Sequence, residues 1–226
     1  MSTPALADAE QPAATDTNKH RRHPGIDFAA LVGGEGWRRL APDIRRRFSE
    51  HPAPDRPIRY AGTMHKVECS RPGLALAWLC RLIGTPFTPY RGRYVPVSIT
   101  LHHHGEGSVR WERDYRYPGR RPLRVTSVKR SEAGTGLVEC VGFGLGMRLA
   151  VFEANGELHF LSLRYFFTLG RRRIPLPRLL TPGTAHVIHA DLGHGRFRFA
   201  MTFHHDWLGT LFHQDGVFHQ EPGATQ

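Results

Sequence analysis

Apolar and polar residues alternate with a period of two along most of the chain after residue 57. Alternation of this kind is typical of strands that bury one face and expose the other. Three of the apolar faces are Val95, Val97, Ile99 and Leu101; Val109, Trp111, Arg113 and Tyr115; and Leu161, Leu163, Tyr165, Phe167 and Leu169. Glycines, prolines and the Asn155–Gly156 pair separate these segments and predict tight turns. The pattern therefore predicts about nine sequential antiparallel strands.

Helical segments are predicted only in the first third of the chain. Ile44 and Phe48 lie four residues apart after Pro42, which suits the first turn of a short helix. Residues 73–83 are apolar nearly all round, as in a helix that is buried or covers a cavity. The predicted fold is mainly β: a calycin-like antiparallel up-and-down barrel, or a strongly curved sheet, with N-terminal helices and the helix at 73–83 capping the barrel. A helix-grip α+β fold is the alternative.

The domain organisation follows from length and from the distribution of large apolar side chains. Residues 1–24 contain almost none, so this segment is predicted to be a disordered tail. Residues 25–220 are predicted to form one folded domain, and 221–226 a second disordered tail. A single all-β domain of about 200–250 residues is common.

The chain is basic, with 31 Lys and Arg against 20 Asp and Glu, a formal charge of +11. Lysine occurs only at Lys19, Lys66 and Lys129, so arginine carries nearly all of the positive charge. A basic surface suits acidic partners such as phosphates or anionic lipids. The plainer interpretation is that the arginines solvate strand faces. Because they are scattered over many strands, the pattern does not favour nucleic-acid binding.

The three cysteines, Cys69, Cys80 and Cys140, are too few to predict a disulfide framework, which favours a reducing compartment. The N-terminus lacks the pattern of a secretory signal. The apolar segment at 73–83 is shorter than the roughly 20 residues that span a bilayer. We therefore expect a cytoplasmic protein without a transmembrane segment.

Three glycines, Gly142, Gly144 and Gly146, resemble a phosphate-binding run, but the residues after them read as a strand rather than a helix. We place these glycines on one strand face that either packs closely or borders a cavity. His102 and His104 share a strand face, a geometry that suits a metal, yet no further ligand pattern accompanies them. The sequence predicts no metal and no cofactor.

Glu139 stands within an apolar stretch and needs a partner if it faces the interior, because an unpaired buried charge is costly. Arg113 and Arg164 are the candidate partners. The pair is either a structural ion pair or a device that orients a ligand carboxylate or phosphate. The candidate ligand-binding residues are Trp111, Arg113, Tyr115, Glu139, Arg164 and Tyr165.

An ordered set of segments resembles a known bacterial family. The segments are Leu40 to Arg46, Trp111-x-Arg113, Leu137-Val138-Glu139, Ile174 to Arg178 and Gly195 to Phe199. Together, over roughly residues 28–219, they are similar to domain-of-unknown-function family 4166 (DUF4166). The chain departs from the expected pattern at Ala41, where a second proline is expected. The resemblance implies no established activity. It does imply an accessory role, since members of the family resemble modules attached to saccharopine-dehydrogenase-like or epimerase-like Rossmann domains.

The expected function is non-catalytic binding of an apolar or amphipathic, anionic small molecule, such as a lipid, inside the barrel. One alternative is a small-barrel isomerase, cyclase or hydrolase with Glu139 or Asp114 as its base. The other is an interaction subunit of a Rossmann-type oxidoreductase. A hollow interior would favour the first, and a carboxylate of raised pKa in a cavity would favour the second.

Overall fold

The computed structural model describes residues 25–80, 88–105 and 107–222. Most of both predicted tails, and the last residues of the helix predicted at 73–83, lie outside these ranges. The described helices are α1 Phe28–Val32, α2 Gly34–Arg39, α3 Pro42–Ser49 and α4 Arg71–Cys80. The described strands are β1 Ile58–Cys69, β2 Gly92–His103, β3 Ser108–Tyr115, β4 Leu123–Glu132, β5 Gly136–Gly142, β6 Leu145–Ala154, β7 Glu157–Leu169, β8 Arg172–Pro175, β9 Thr184–Asp191, β10 Arg196–His205 and β11 Gly209–Gln220. A 3₁₀ turn spans Arg178–Leu180.

The strands form one antiparallel sheet that closes on itself. Strands β1 to β6 pair in sequence order, and β1 also pairs with β11, which continues through β10 and β9 to β7. The pairing of β6 with β7, from Leu145↔Phe167 to Ala154↔Glu157, joins the two sides. The result is a closed ten-stranded barrel, with β8 attached outside it to β7. The prediction of a mainly β, up-and-down barrel with N-terminal helices is therefore confirmed.

Strand β7 is irregular in two ways. Its pairing with β6 shifts register at a β-bulge, because Arg148 lies opposite Arg164 while Leu149 lies opposite Ser162. The extra residue, Leu163, is 58% exposed. A bulge reverses the alternation of faces beyond it, so the predicted single apolar face from Leu161 to Leu169 is wrong.

The second irregularity of β7 is a change of partner along its length. Its first half pairs with β9, from Leu158↔His189 to Leu161↔His186. Its second half pairs instead with β8, from Phe166↔Pro175 to Leu169↔Arg172. Strands β7 and β9 therefore diverge beyond Leu161, and the barrel wall opens outwards there.

Helices α1–α3 cover the end of the barrel that carries the β6–β7 turn. Arg39 Nε donates to Glu153 Oε2 at 2.6 Å, and the Ala41 N–H donates to the Gly156 carbonyl at 3.2 Å. Phe48 of α3 packs into the opening against Phe160 of β7, with 5.8 Å between ring centroids. Phe28 of α1 lies against the same ring, 6.0 Å between centroids, so side chains of α1 and α3 close this end together.

Helix α4, the predicted cap, lies at the opposite end of the barrel. It packs against the start of β11 so closely that a Cβ on Gly73 would lie 2.0 Å from the Leu211 carbonyl oxygen. Ala77 is fully buried, whereas Trp78 is 52% and Leu79 is 62% exposed. Its described residues therefore fit a helix that packs at one end of the barrel, and not the alternative of a helix buried on all sides.

Shortening one side chain in α3 and one in α4 tests which of these two helices closes the barrel core. Phe48→Ala removes a buried ring and is expected to lower the free energy of unfolding by about 3–5 kcal/mol. Leu79→Ala in α4 is the control and is expected to change it by less than about 0.5 kcal/mol, because Leu79 is largely exposed. Urea unfolding measures both, and equal losses would contradict the assignment of α3 as the cap.

Candidate functional site

The barrel interior contains a cluster of three charged side chains from adjacent strands. Lys129 of β4 and Glu139 of β5 are cross-strand partners, and Arg113 projects from β3. Lys129 Nζ lies 2.7 Å from Glu139 Oε1, and Arg113 Nη2 lies 3.9 Å from the same oxygen. Arg113 Nη1 also donates to Ser127 Oγ at 3.4 Å. All four side chains are buried, so the charges interact in a medium of low polarity.

The pKa values in this cluster follow from burial and from its neighbouring charges. Burial lowers the pKa of Lys129 to about 8, although Glu139 acts in the opposite direction. Burial acts to raise the pKa of Glu139, but the charges of Lys129 and Arg113 outweigh it and lower the pKa overall. At neutral pH the cluster therefore holds an ionised carboxylate and two cations.

An internal cavity borders the cluster, with a volume of about 40 Å³. Its walls include Trp111 of β3, Phe160 of β7 and His189 of β9. Sites for drug-sized molecules occupy about 300–1,000 Å³, whereas one water needs roughly 10–15 Å³ by this measure. The interior thus has room for a few water-sized groups and none for an acyl chain.

The structure divides the sequence-predicted ligand residues among three places. Trp111, Arg113 and Glu139 line the internal cavity. Tyr115 is fully buried and donates to Gln214 Oε1 at 3.0 Å. Arg164 and Tyr165 border a groove on the outside of the barrel.

The partner of Glu139 differs in part from expectation. Arg113 is close to Glu139, as considered, but Arg164 is on the outer surface and does not reach it. The main partner is Lys129, which the sequence reasoning missed. The alternation of Val125, Ser127 and Lys129 along β4 was the available signal, because it places the lysine on the inward face.

The three glycines lie in different local structures. Gly142 ends β5, Gly144 is in the following turn with a φ of +83°, and Gly146 is within β6. A Cβ on Gly146 would lie 2.5 Å from the ring of Phe166, so this glycine permits close packing. None of the three lines the internal cavity or the outer groove.

The outer groove lies where β7 and β9 diverge and has a volume of about 370 Å³. Ser162 Oγ accepts a hydrogen bond from the Ala185 N–H at 2.8 Å and holds the two strands together at the edge of the opening. Buried Tyr165 borders the groove, and burial raises the pKa of its hydroxyl. The remaining walls come from β7, from the segment that runs from β8 through the 3₁₀ turn to the start of β9, and from the β10–β11 turn. These residues are Leu163, Pro175, Leu176, Arg178, Leu179, Thr181, Gly183, Thr184, His205, Asp206 and Trp207.

Large apolar side chains stand exposed around this groove. Trp207 is 77% exposed, and Leu163, Leu179, Leu180 and Leu208 are also largely exposed. Exposed apolar groups gathered at one place are typical of an interaction site rather than of ordinary protein surface.

Two arginines, Arg164 and Arg178, stand at the groove. Arg178 Nη1 lies 3.8 Å from Asp206 Oδ2, but both side chains are mainly exposed, so this ion pair is weak. Arg164 has no ion-pair partner among the described residues. The groove therefore combines apolar walls with available positive charge.

The two histidines whose spacing suggested a metal site, His102 and His104, do not form one in the structure. His102 lies 3.6 Å from a carboxylate oxygen of Glu112, and His104 contacts Arg110. Within residues 25–80, 88–105 and 107–222, no group of three or more His, Cys, Asp or Glu side chains is arranged to hold a metal ion. No helix in the same ranges is long and apolar enough to cross a membrane.

Loss of the Glu139 charge is expected to destabilise the fold. Glu139→Gln leaves two buried cations without a counter-charge, and we expect a loss of about 3–5 kcal/mol in the free energy of unfolding. Asp114→Asn is the control, since Asp114 pairs with Arg124 at 2.7 Å on the surface and is expected to contribute less than about 1 kcal/mol. Chemical denaturation compares the two, and a small loss in Glu139→Gln would mean that the interior cations are otherwise neutralised.

Titration of Lys129 is expected to appear as a pH-dependent stability. Its pKa is about 8 in the folded protein against an ordinary value of 10.5, so the unfolded chain binds more protons between these values. The free energy of unfolding should therefore rise with pH across that window, by about 3 kcal/mol for this group. The Lys129→Met variant should not show this increase in the free energy of unfolding. Denaturant unfolding at pH 7.5, 9 and 10.5 checks this, and identical pH slopes in the two proteins would contradict it.

The comparisons with known proteins identify a family and nothing more specific. No curated protein and no solved structure matches the chain. A family model described as domain of unknown function (DUF4166) matches residues 40–218, which include helix α3 and every strand of the barrel except the last two residues of β11. The match covers most of the chain, and the protein therefore belongs to the DUF4166 family.

Proposed function

We propose that this protein is a non-catalytic binding module for an amphipathic molecule with an anionic group, such as a lipid, and that the outer groove holds this ligand. The observation that carries the proposal is the contrast in volume between the groove, about 370 Å³, and the internal cavity, about 40 Å³. Of these two spaces, the groove alone reaches the range of small-molecule sites.

The apolar part of the ligand has a matching surface in the groove. Leu176, Leu179 and Trp207 all line it. Burial of exposed apolar area contributes about 25 cal/mol per Å². Covering these side chains with an acyl chain is therefore a favourable step in binding.

The anionic group has matching donors at the same place. Arg164 and Arg178 border the groove, and a guanidinium binds carboxylate or phosphate through two parallel hydrogen bonds. Asp206 competes for Arg178 from 3.8 Å, so an anionic ligand would replace one weak contact with a stronger one. Charge and apolar surface together select an amphipathic anion over a neutral hydrocarbon.

The carboxylates considered as catalytic bases do not support an enzymatic alternative. Glu139 has a lowered pKa and is held by Lys129, which makes it a weak base. Asp114 lies on the surface in a bidentate pair with Arg124, at 2.7 and 2.8 Å. Glu139 thus lacks the raised pKa of a general base, and Asp114 lines neither the internal cavity nor the outer groove.

An interaction subunit remains the second candidate function, because the exposed leucines and Trp207 would also suit a protein partner such as an oxidoreductase. The two candidates differ in what fills the groove. A lipid ligand would enter between Arg164 and Trp207, whereas a protein partner would cover the rim from outside.

Quenching of tryptophan fluorescence by a brominated fatty acid tests the groove directly. Dibromostearate, whose bromines quench on contact, is expected to quench Trp207, with stearate as the non-quenching control. The quenching should largely disappear in Trp207→Phe. If the chain entered the barrel instead, quenching would persist in this variant, because Trp111 lines the internal cavity.

The charge requirement is tested with the same probe. Arg164→Gln and Arg178→Gln are each expected to weaken dibromostearate binding roughly five-fold, the effect of about 1 kcal/mol per arginine. Arg38→Gln in α2 is the matched control, since Arg38 is exposed at the opposite end of the barrel. Absence of saturable quenching in the wild-type protein, or equal weakening by Arg38→Gln, would overturn the proposal.

A further inference from the structure

The described barrel interior holds more positive than negative charge. Arg113 and Lys129 face a single carboxylate, Glu139, whose Oε1 both of them approach. A further cation, Arg47 of α3, lies at the capped end over the ring of Phe197, with its guanidinium carbon 3.7 Å from the ring centroid, and the charges of Asp191 and Asp43 act on it. In the cluster itself, two cations thus share one anion.

Histidine does not relieve this imbalance. His189 of β9 borders the same cavity as the cluster. Burial first, and then the surrounding positive charges, hold its pKa well below the usual value, so it is neutral. A buried cation without a counter-charge costs several kcal/mol. The interior therefore favours any small anion that can reach it.

The interior also presents hydrogen-bonding nitrogens that have no partner among the described residues. These are Trp111 Nε1, Arg113 Nε, Arg47 Nε, Arg47 Nη2 and His189 Nδ1. Except for the histidine nitrogen, whose role depends on its tautomer, they are all donors. Buried donors are almost always satisfied in folded proteins, so these side chains point to an acceptor that the described protein does not supply.

The unpartnered side chains border two small neighbouring cavities. The cavity of about 40 Å³ is lined by Trp111, Arg113, Lys129 and His189. A second, of about 30 Å³, is lined by Trp111, His189 and Arg47. Neither space has room for a phosphate ester with its organic group, whereas a halide or a nitrate is close to the size of one or two waters.

We propose that the 40 Å³ cavity is a binding site for one small monovalent inorganic anion, of the size of chloride, bromide or nitrate, held by Arg113, Lys129 and the indole N–H of Trp111. The anion would balance the second interior cation while Glu139 balances the first. The site shares no lining residue with the outer groove and is independent of the ligand proposed for it. Its occupancy would couple the stability of the barrel to the anion composition of the solution.

Stability in different sodium salts provides the first test. Unfolding is measured in sodium bromide and in sodium gluconate at equal ionic strength, because gluconate is too large for the cavity. An anion that binds only the folded protein lowers the unfolding equilibrium constant about tenfold for each tenfold increase in concentration above its dissociation constant. Bromide should show this dependence and gluconate should not. Equal stability in the two salts over the whole concentration range would overturn the proposal.

Variants separate the cavity from surface effects of the salt. Lys129→Met leaves Arg113 with Glu139 and should abolish the difference between bromide and gluconate. Arg124→Gln is the control, since Arg124 forms an exposed ion pair outside the barrel, and it should retain the full difference. A bromide effect that persists unchanged in Lys129→Met would assign it to the surface and contradict the proposal.

A direct location of the anion keeps the proposal testable if Lys129→Met does not fold. Wild-type crystals grown or soaked in sodium bromide should give an anomalous peak inside the barrel, within about 3.5 Å of Lys129 Nζ and the Trp111 indole nitrogen. Ordered water without anomalous signal in the cavity, or bromide on the outer surface alone as an adventitious ion only, would overturn it.

Discussion

The pairing of β6 with β7 determines most of what distinguishes this protein. Without it, β6 and β7 would be free edges of an open sheet. With it, one face of every barrel strand is withdrawn from water, and the side chains on that face must satisfy each other. The buried charges, the small cavities and the sealed end all follow from this closure.

Because the interior is closed to water, its charged side chains can be buried there only together. Lys129, Glu139 and Arg113 project from three consecutive strands, so their spacing is determined by the registers of β3, β4 and β5. In a medium of low polarity each charge depends strongly on the others. The same dependence makes the interior unsuitable for a long apolar ligand, because the space is filled by side chains that need polar partners.

The two ends of the barrel differ in how their strands and helices close them. At one end Phe48 and the other side chains of α1–α3 complete the apolar core. At the other end β7 leaves β9 to pair with β8, and the wall opens into a groove with exposed leucines, Trp207 and arginines. The capped end thus completes the apolar core, and the other end carries the groove with its exposed apolar and charged side chains.

Local patterns determined the strands, the turns and the class of fold. The alternation of apolar and polar residues after residue 57 indicated the strands, and Asn155–Gly156 marked the β6–β7 turn, because these signals depend on residues close in the chain. The resemblance to the family was likewise carried by short ordered segments. The tertiary structure alone decided that Lys129, rather than Arg164, pairs most closely with Glu139, and that a bulge exposes Leu163. The tertiary structure alone also brought Arg164, Arg178 and Trp207 around one groove. Strand register, and the change of partner along β7, depend on packing between segments that are distant in sequence, and no local pattern contains that information.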